Sequence, residues 1–245
     1  MMTALGIAMN GLEEAVARIA RDVAAKFDEV TYIEIGVGEG TTLTGIAREL
    51  RMTKKNWRAI GIELPNGYSF SRARTEEIAQ ARGLPLFFVN PNGSITHPQW
   101  NAVTVYFKDS QSFLTEMWNA QVHLALIDGC HGKPCVTLDF LAVEAFMVPG
   151  GVMLFHDFSE EQKGDKQPHC PDGIDVRGAC QDLGLTNGKR AGWIQSETLT
   201  ANRLQGGWDM GVFTKDTASP SSFAKATEDE RLRSIHTSKL PEGAK

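Results

Sequence analysis

Several things are scarce in this 245-residue sequence, and each shortage removes a class of function. There are four cysteines, Cys130, Cys135, Cys170 and Cys180, and they form no paired Cys-x-x-Cys knuckles. In a chain of this size they read as reduced thiols rather than a disulfide framework. No apolar run approaches the ~20 residues that a membrane-spanning helix needs. The first ten residues carry no charged side chain, and Glu13, Glu14 and Arg18 follow at once, which is not the layout of a secretory leader. Nor is there an excess of positive charge: 25 Lys and Arg stand against 30 Asp and Glu, for a net charge of -5. Such a chain has no overall electrostatic reason to hold a nucleic-acid backbone. A cytoplasmic protein with neither membrane nor nucleic acid as partner is the expectation; homo-oligomerisation is left open.

What is present is an ordinary globular composition, 42% apolar and 22% charged, enough for one domain of the larger kind. The order is strand and helix in alternation. Residues 11–27 repeat apolar side chains at helical spacing, and 31–36 read as a short buried strand cut off by glycines. A helix from Thr41 or Thr42 to Leu50, a strand over 57–64 and a helix over 69–82 ending at Gly83 follow. The segment 84–100 contains a short apolar run, Leu86-Phe87-Phe88-Val89, before a loop rich in Pro, Asn and Gly. Next come a strand over 101–107, a helix near 111–119, a strand over 122–128, a helix near 135–147 and a strand over 151–157. A helix over 172–183 and two strands, 190–195 and 208–215, complete the pattern with an antiparallel finish. Repeated strand–helix units predict an α/β fold: a Rossmann-like, doubly wound, mostly parallel sheet with helices on both faces and an antiparallel last strand. The domain is expected over 1–215. Residues 216–245, with 8 apolar side chains in 30, read as a flexible C-terminal tail.

The sharpest local signal is Glu34-Ile35-Gly36-Val37-Gly38-Glu39-Gly40, a glycine loop that follows a strand and opens a helix. Glycines permit positive φ and a close approach of ligand to backbone. A dinucleotide loop is one reading, but the spacing is GxGxG, and Glu34 and Glu39 are poorly placed beside a pyrophosphate. They suit a ligand that carries positive charge.

With its acidic residue two places ahead of the first glycine, the loop resembles motif I of the class I S-adenosylmethionine (SAM) methyltransferases. The resemblance continues at the following strand ends and covers about 31–160. It implies that Gly36, Gly38 and Gly40, with Glu34, shape the SAM loop. It implies further that Glu63 holds the ribose hydroxyls and that Asp109 and Ser110 border the adenine. Asp128, which closes the fourth strand of that pattern, is counted by the resemblance among the cofactor-binding residues, and Pro149-Gly150-Gly151 precedes the fifth.

The stretch Ile127-Asp128-Gly129-Cys130-His131, with His156-Asp157 after the next strand, is similar to a subfamily that methylates hydroxyls of sugars and natural products. There the strand-four Asp and two acids after strand five bind Mg²⁺, and the His serves as general base. By position, His131 matches the base and Asp128 and Asp157 match metal ligands, while His156 stands where an acid is usual. An imidazole in the ligand set favours Mn²⁺, Fe²⁺ or Zn²⁺ over Mg²⁺, or no metal at all, with His156 then orienting the substrate or serving as a second base. A neutral imidazole near pH 7 is suited to take a proton from a hydroxyl.

The implied activity is SAM-dependent methyl transfer to a hydroxyl of a small-molecule or sugar acceptor, with a divalent cation assisting. An NAD(P)-dependent oxidoreductase of Rossmann type and a SAM-binding protein without turnover are the alternatives. A zinc cluster of Cys130, His131, Cys135, His169 and Cys170 is a further arrangement, with spacings that match no familiar knuckle. The loop 159–171 is long enough for a substrate lid. Trp57, Trp193 and Trp208 are expected in the core, His97 and His123 in structural or solvated roles, and Tyr68 and Phe70 over the nucleoside.

Overall fold

A computed structural model describes residues 12–65, 67, 70–90, 98–166, 170–200 and 209–217. Helix α1 (Glu13–Lys26) buries Val16, Ile19, Ala20 and Val23 along one face, as the helical spacing requires. Strand β1 (Glu29–Ile35) is buried at six of its seven residues, the pattern of a strand covered on both faces. Helix α2 (Thr41–Met52), β2 (Asn56–Glu63), α3 (Arg72–Ala81), β3 (Leu86–Val89) and β4 (Ala102–Phe107) follow. A three-residue turn α4 (Ser110–Ser112) runs into a π-helical turn (Phe113–Met117), and then come β5 (Val122–Ile127), α5 (Lys133–Glu144) and β6 (Met147–Phe155). Helix α6 (Val176–Asp182), β7 (Trp193–Leu199) and β8 (Met210–Lys215) complete the described elements.

The eight strands form one sheet in the order β3-β4-β2-β1-β5-β6-β8-β7. All neighbouring pairs are parallel except the two that involve β8. The expected fold class is therefore the observed one, and the run 86–89 is a strand at the sheet edge. Alternate residues feed two cores. Val30, Tyr32, Trp57 and Ala59 join α1 and α2 on one face, while Ile33, Ile35, Ile60 and Ile62 join Phe140 and Val143 of α5 on the other. Each fully buried Ile, Leu or Val contributes about 1.5–3 kcal/mol relative to exposure, so these two layers decide the fold.

Chain order reverses between β1 and β5. From β1 the chain adds β2, crosses to β3 at the sheet edge and fills in β4 between them, then returns to place β5 on the other side of β1. In open α/β sheets ligands bind beyond the carboxyl ends of the strands at such a switch point. Here those ends are Ile35, which leads into the glycine loop, and Ile127, which leads into Asp128.

Some boundaries differ from the sequence reading. The helix expected near 111–119 is a short α turn and a π turn, closed by Trp118 N–H donating to Phe113 O. The wider turn buries Phe113 and Leu114 together. Strand β6 starts at Met147 rather than 151, because its register on β5 breaks after the Val122–Met147 pair. Pro149 and Gly150 occupy that break, where no ladder bond is needed from the proline. Strand β7 lies later than 190–195, since Arg190 is held outside the sheet by Glu144. Trp57 and Trp193 are buried as expected, and His123 is structural, its Nδ1 accepting from Thr31 N–H at 3.1 Å. The expected contributions of Trp208, His97 and Tyr68, and of the tail beyond Thr217, lie outside the described residues. Among the described residues no helix is long and apolar enough to cross a membrane.

Candidate active site

The glycine loop turns sharply after β1, with φ of +85° at Gly36, +53° at Gly38 and +74° at Gly40. These left-handed values are open to glycine at little steric cost. Gly36 is further constrained by contact: a Cβ there would lie 2.3 Å from Asp128 O. The loop after β1 and the loop after β5 are thus packed backbone against backbone, and Asp128 N–H donates to Ile35 O at 2.9 Å.

Glu63, buried at the end of β2, ties this loop down. Its Oε2 accepts from the N–H of Val37 at 2.9 Å and of Gly38 at 3.2 Å, and its Oε1 accepts from Leu64 N–H at 2.9 Å. A carboxylate has about four acceptor positions, so three are spent on the protein and little is left over. Glu34 differs from what its place in the motif implied. It is only 1% exposed, takes a short hydrogen bond from Tyr32 Oη, and burial pushes its carboxyl well above the usual range. It supports the loop from inside the protein and offers a cofactor no open surface.

Asp109 caps the turn after β4, its Oδ1 accepting from Ser112 N–H at 2.8 Å, and it remains exposed. Ser110 Oγ donates to the buried Asp139 of α5, whose carboxyl burial pushes up to about 7. Phe70 packs edge-on against Phe88 and Phe107.

Beyond β5 and β6, four side chains close into a ring. His131 Nε2 lies 3.2 Å from Asp128 Oδ1 and its Nδ1 lies 2.7 Å from Asp157 Oδ2. His156 Nδ1 lies 2.9 Å from Asp128 Oδ1 and 3.0 Å from Asp157 Oδ1. Asp157 holds this place at a φ of +54°, a left-handed conformation that Asp tolerates better than most residues. Burial works against a charge on His131, but Asp128 and Asp157 outweigh it and raise the ring to about 9. His156 rises well above its ordinary value for the same reason, and the two imidazoles hold both Asp carboxyls low against burial. A neutral imidazole was the expectation for His131; the two carboxylates that flank the ring favour its protonated form.

One ligand atom each from Asp128, His131 and His156 lies within 4.8 Å of the others. His156 Nδ1 and Asp157 Oδ1 are buried and close, yet they are not aligned as hydrogen bonds. Convergent donor atoms with poor hydrogen-bond angles fit a coordination sphere better than a finished network.

A family of methyltransferase domains has a model that matches residues 33–158, just over half of the chain. The chain belongs to that methyltransferase family. Its match runs from β1 through the glycine loop to Phe158, and so takes in both loops and the ring. No curated protein matches. Among solved structures, the O-methyltransferase TomG of Streptomyces achromogenes, involved in tomaymycin synthesis and solved with SAM, aligns with a TM-score of 0.56 at 14% identity. That alignment covers 83% of this chain and 79% of that one. An O-methyltransferase of Bacillus cereus in complex with SAH aligns with a TM-score of 0.56 at 13% identity, covering 85% and 84%. At these identities the likeness is one of fold. Family membership takes the methyltransferase reading over the oxidoreductase.

The loop after β6 also holds a feature that the sequence did not single out. Gln162, in the loop after β6, is buried, and neither its Oε1 nor its Nε2 has a hydrogen-bond partner among the described residues. That loop is pinned beside His131, because Gly164 N–H donates to Ile174 O and Asp175 N–H donates to His131 O. Nothing in the spacing of the loop announces which of its polar residues is buried. Of the zinc arrangement, His131 faces the two Asp carboxylates rather than the thiols, and His169 lies outside the described residues.

Proposed function

We propose that the chain transfers the sulfonium methyl of SAM to a hydroxyl of a small-molecule or sugar acceptor. The observation that carries this reading is the contact between Gly36 and Asp128, which sets the cofactor loop directly against the proton-handling ring. Methyl transfer needs donor and acceptor held together in line, and orientation of that kind is worth about 7–11 kcal/mol of barrier. Gly36, Gly38 and Gly40 let the backbone close on the cofactor, Glu63 fixes the loop and offers its remaining acceptor capacity to the ribose, and Asp109 and Ser110 border the adenine.

Asp128 and His156, with Asp157 beside them, are the residues that would hold a divalent cation; His131, whose ring nitrogen converges on the same point, is the base. Their mix of carboxylate oxygen and imidazole nitrogen suits Mn²⁺, Fe²⁺ or Zn²⁺. Such an ion, when bound, supplies positive charge that polarises the acceptor oxygen. The two carboxylates that favour a proton on His131 are the same two that would face the ion. Whether the ring can take the proton of the acceptor hydroxyl at Nε2 therefore depends on how Asp128 and Asp157 are engaged. Asp157 also orients the ring through Nδ1, as a carboxylate partner does for a catalytic imidazole.

The test is calorimetry of the purified protein with SAM, with and without Mn²⁺ or Mg²⁺, followed by release of S-adenosylhomocysteine in the presence of a panel of hydroxylated small molecules. Heat with SAM and product with one acceptor class support the reading. Binding without product from any acceptor favours the SAM-binding protein without turnover.

A further inference from the structure

Beside the ring, three thiols gather in one small volume. Cys130 lies on the loop after β5, Cys135 in the first turn of α5, and Cys170 on the segment returning after β6. The thiols of Cys135 and Cys170 are near enough to that of Cys130 to act on it. Gly132 passes between them: a Cβ at that position would lie 3.3 Å from Cys170 Sγ and 3.6 Å from Cys130 Sγ. Cys130 and Cys135 are partly exposed and Cys170 is buried. The fourth cysteine, Cys180, is buried in α6. The loop that carries Cys130 is also the one packed on the cofactor loop, since a Cβ on Gly36 would meet Gly129 Cα at 2.6 Å as well as Asp128.

We propose that this cluster is a site of reversible oxidation by hydrogen peroxide, in which Cys130 becomes joined by a disulfide to Cys135 or Cys170 and the protein's grip on SAM loosens. The sulfur of Cys130 attacks one peroxide oxygen, the O–O bond breaks, and the other oxygen leaves as water; sulfur is oxidised to the sulfenic acid and peroxide is reduced. The neighbouring thiol then attacks that sulfur, the S–O bond breaks, a second water departs with the thiol proton, and the S–S bond forms. A dithiol reverses the bridge by exchange through a mixed disulfide. A disulfide demands a fixed separation of the two Cβ atoms, about 3.5–4.5 Å, so its formation pulls on the segment between Asp128 and His131 and through Gly129 on Gly36. The effect on SAM rests on the function proposed above; the oxidation itself does not.

The experiment treats the full chain with hydrogen peroxide, blocks residual thiols with N-ethylmaleimide, maps linked peptides by mass spectrometry without reduction, and measures SAM binding before and after. The expected result is a link from Cys130 to Cys135 or Cys170 and at least a fivefold loss of SAM affinity, both reversed by dithiothreitol. Cys130→Ser is expected to form no link and to keep its SAM affinity under peroxide. The Cys135→Ser, Cys170→Ser double variant is expected to lose the bridge while Cys130 still oxidises. A chain in which Cys130 stays a thiol, or links only to Cys180, overturns the proposal, as does a Cys130 bridge with unchanged SAM affinity. If the reduced protein binds no SAM at all, it is the proposed function that fails, and the linked peptide still decides the oxidation site.

Discussion

The glycine loop and the carboxylate–imidazole ring touch at Gly36 and Asp128, yet their polar groups are handled in opposite ways. Around the glycine loop, hydrogen bonds are made within the protein: Glu63 accepts from three backbone N–H groups, and Tyr32 and Glu34 satisfy each other beneath. Around the ring, four charged groups are pressed together at 2.7–3.2 Å, with a left-handed Asp157 among them, and several contacts are off the hydrogen-bond line. A satisfied network is stable as it stands, whereas buried charges with poor angles cost free energy until something completes them. The glycine loop, the proposed cofactor half, is satisfied as it stands, and the ring, the proposed acceptor half, is left for something to complete.

The largest effect is expected where the acceptor half does its chemistry. His131→Ala should lower methyl transfer to any accepted hydroxyl by about 10²–10⁴-fold, the usual contribution of a positioned acid–base group. SAM affinity, read by calorimetry, should change less than twofold; a parallel loss of SAM binding would place His131 in the cofactor half instead. Next, Gly36→Ala drives a Cβ into Asp128 O and into a backbone conformation that alanine disfavours. Thermal or denaturant unfolding should show a loss of about 1–3 kcal/mol, with SAM affinity falling more than tenfold. A variant as stable as the parent and binding SAM normally would break the claim that the two halves are locked together there.

Glu63→Gln replaces one acceptor oxygen by a donor opposite backbone N–H groups. The expected loss is about tenfold in SAM affinity, in line with the worth of a charge-assisted hydrogen bond. Turnover at saturating SAM should be nearly unchanged. The smallest effect concerns Asp139, which is buried with its carboxyl raised to about 7. In the folded protein it binds a proton more tightly than in the unfolded chain. Its contribution is fully present below about pH 4, where the unfolded carboxyl is itself protonated, and is lost as pH rises through about 7. Asp139→Asn should flatten the dependence of stability on pH across that window, measured as denaturation midpoints at pH 5 and 7.5.

Sequence alone made the cofactor half legible and the acceptor half only partly so. A parallel strand buried on both faces must be a continuous apolar run, and a loop with three left-handed turns must use glycine, so Val30 to Gly40 announces itself. Glu63 was visible as an acid at a strand end, but two of its three donors are backbone groups 25 and 26 residues away, which no pattern of side chains encodes. Asp128, His131, His156 and Asp157 were identified as residues, yet the protonation of His131 depends on two carboxylates from different loops closing on it. Burial of Gln162 and the meeting of Cys130, Cys135 and Cys170 depend in the same way on how loops fold together. The strand break at Pro149 and Gly150 could be read as a turn before a strand; only the pairing of Met147 with Val122 shows that the strand had already begun.

The central claim is that the loop after β1 binds a sulfonium nucleoside against the ring at the end of β5. Titration of the reduced, purified chain with SAM, beside NAD as the rival ligand, tests it most directly. Saturable heat with SAM, absent with NAD and lost in Gly36→Ala, is the result expected. No heat with SAM, or equal binding of NAD, would contradict it.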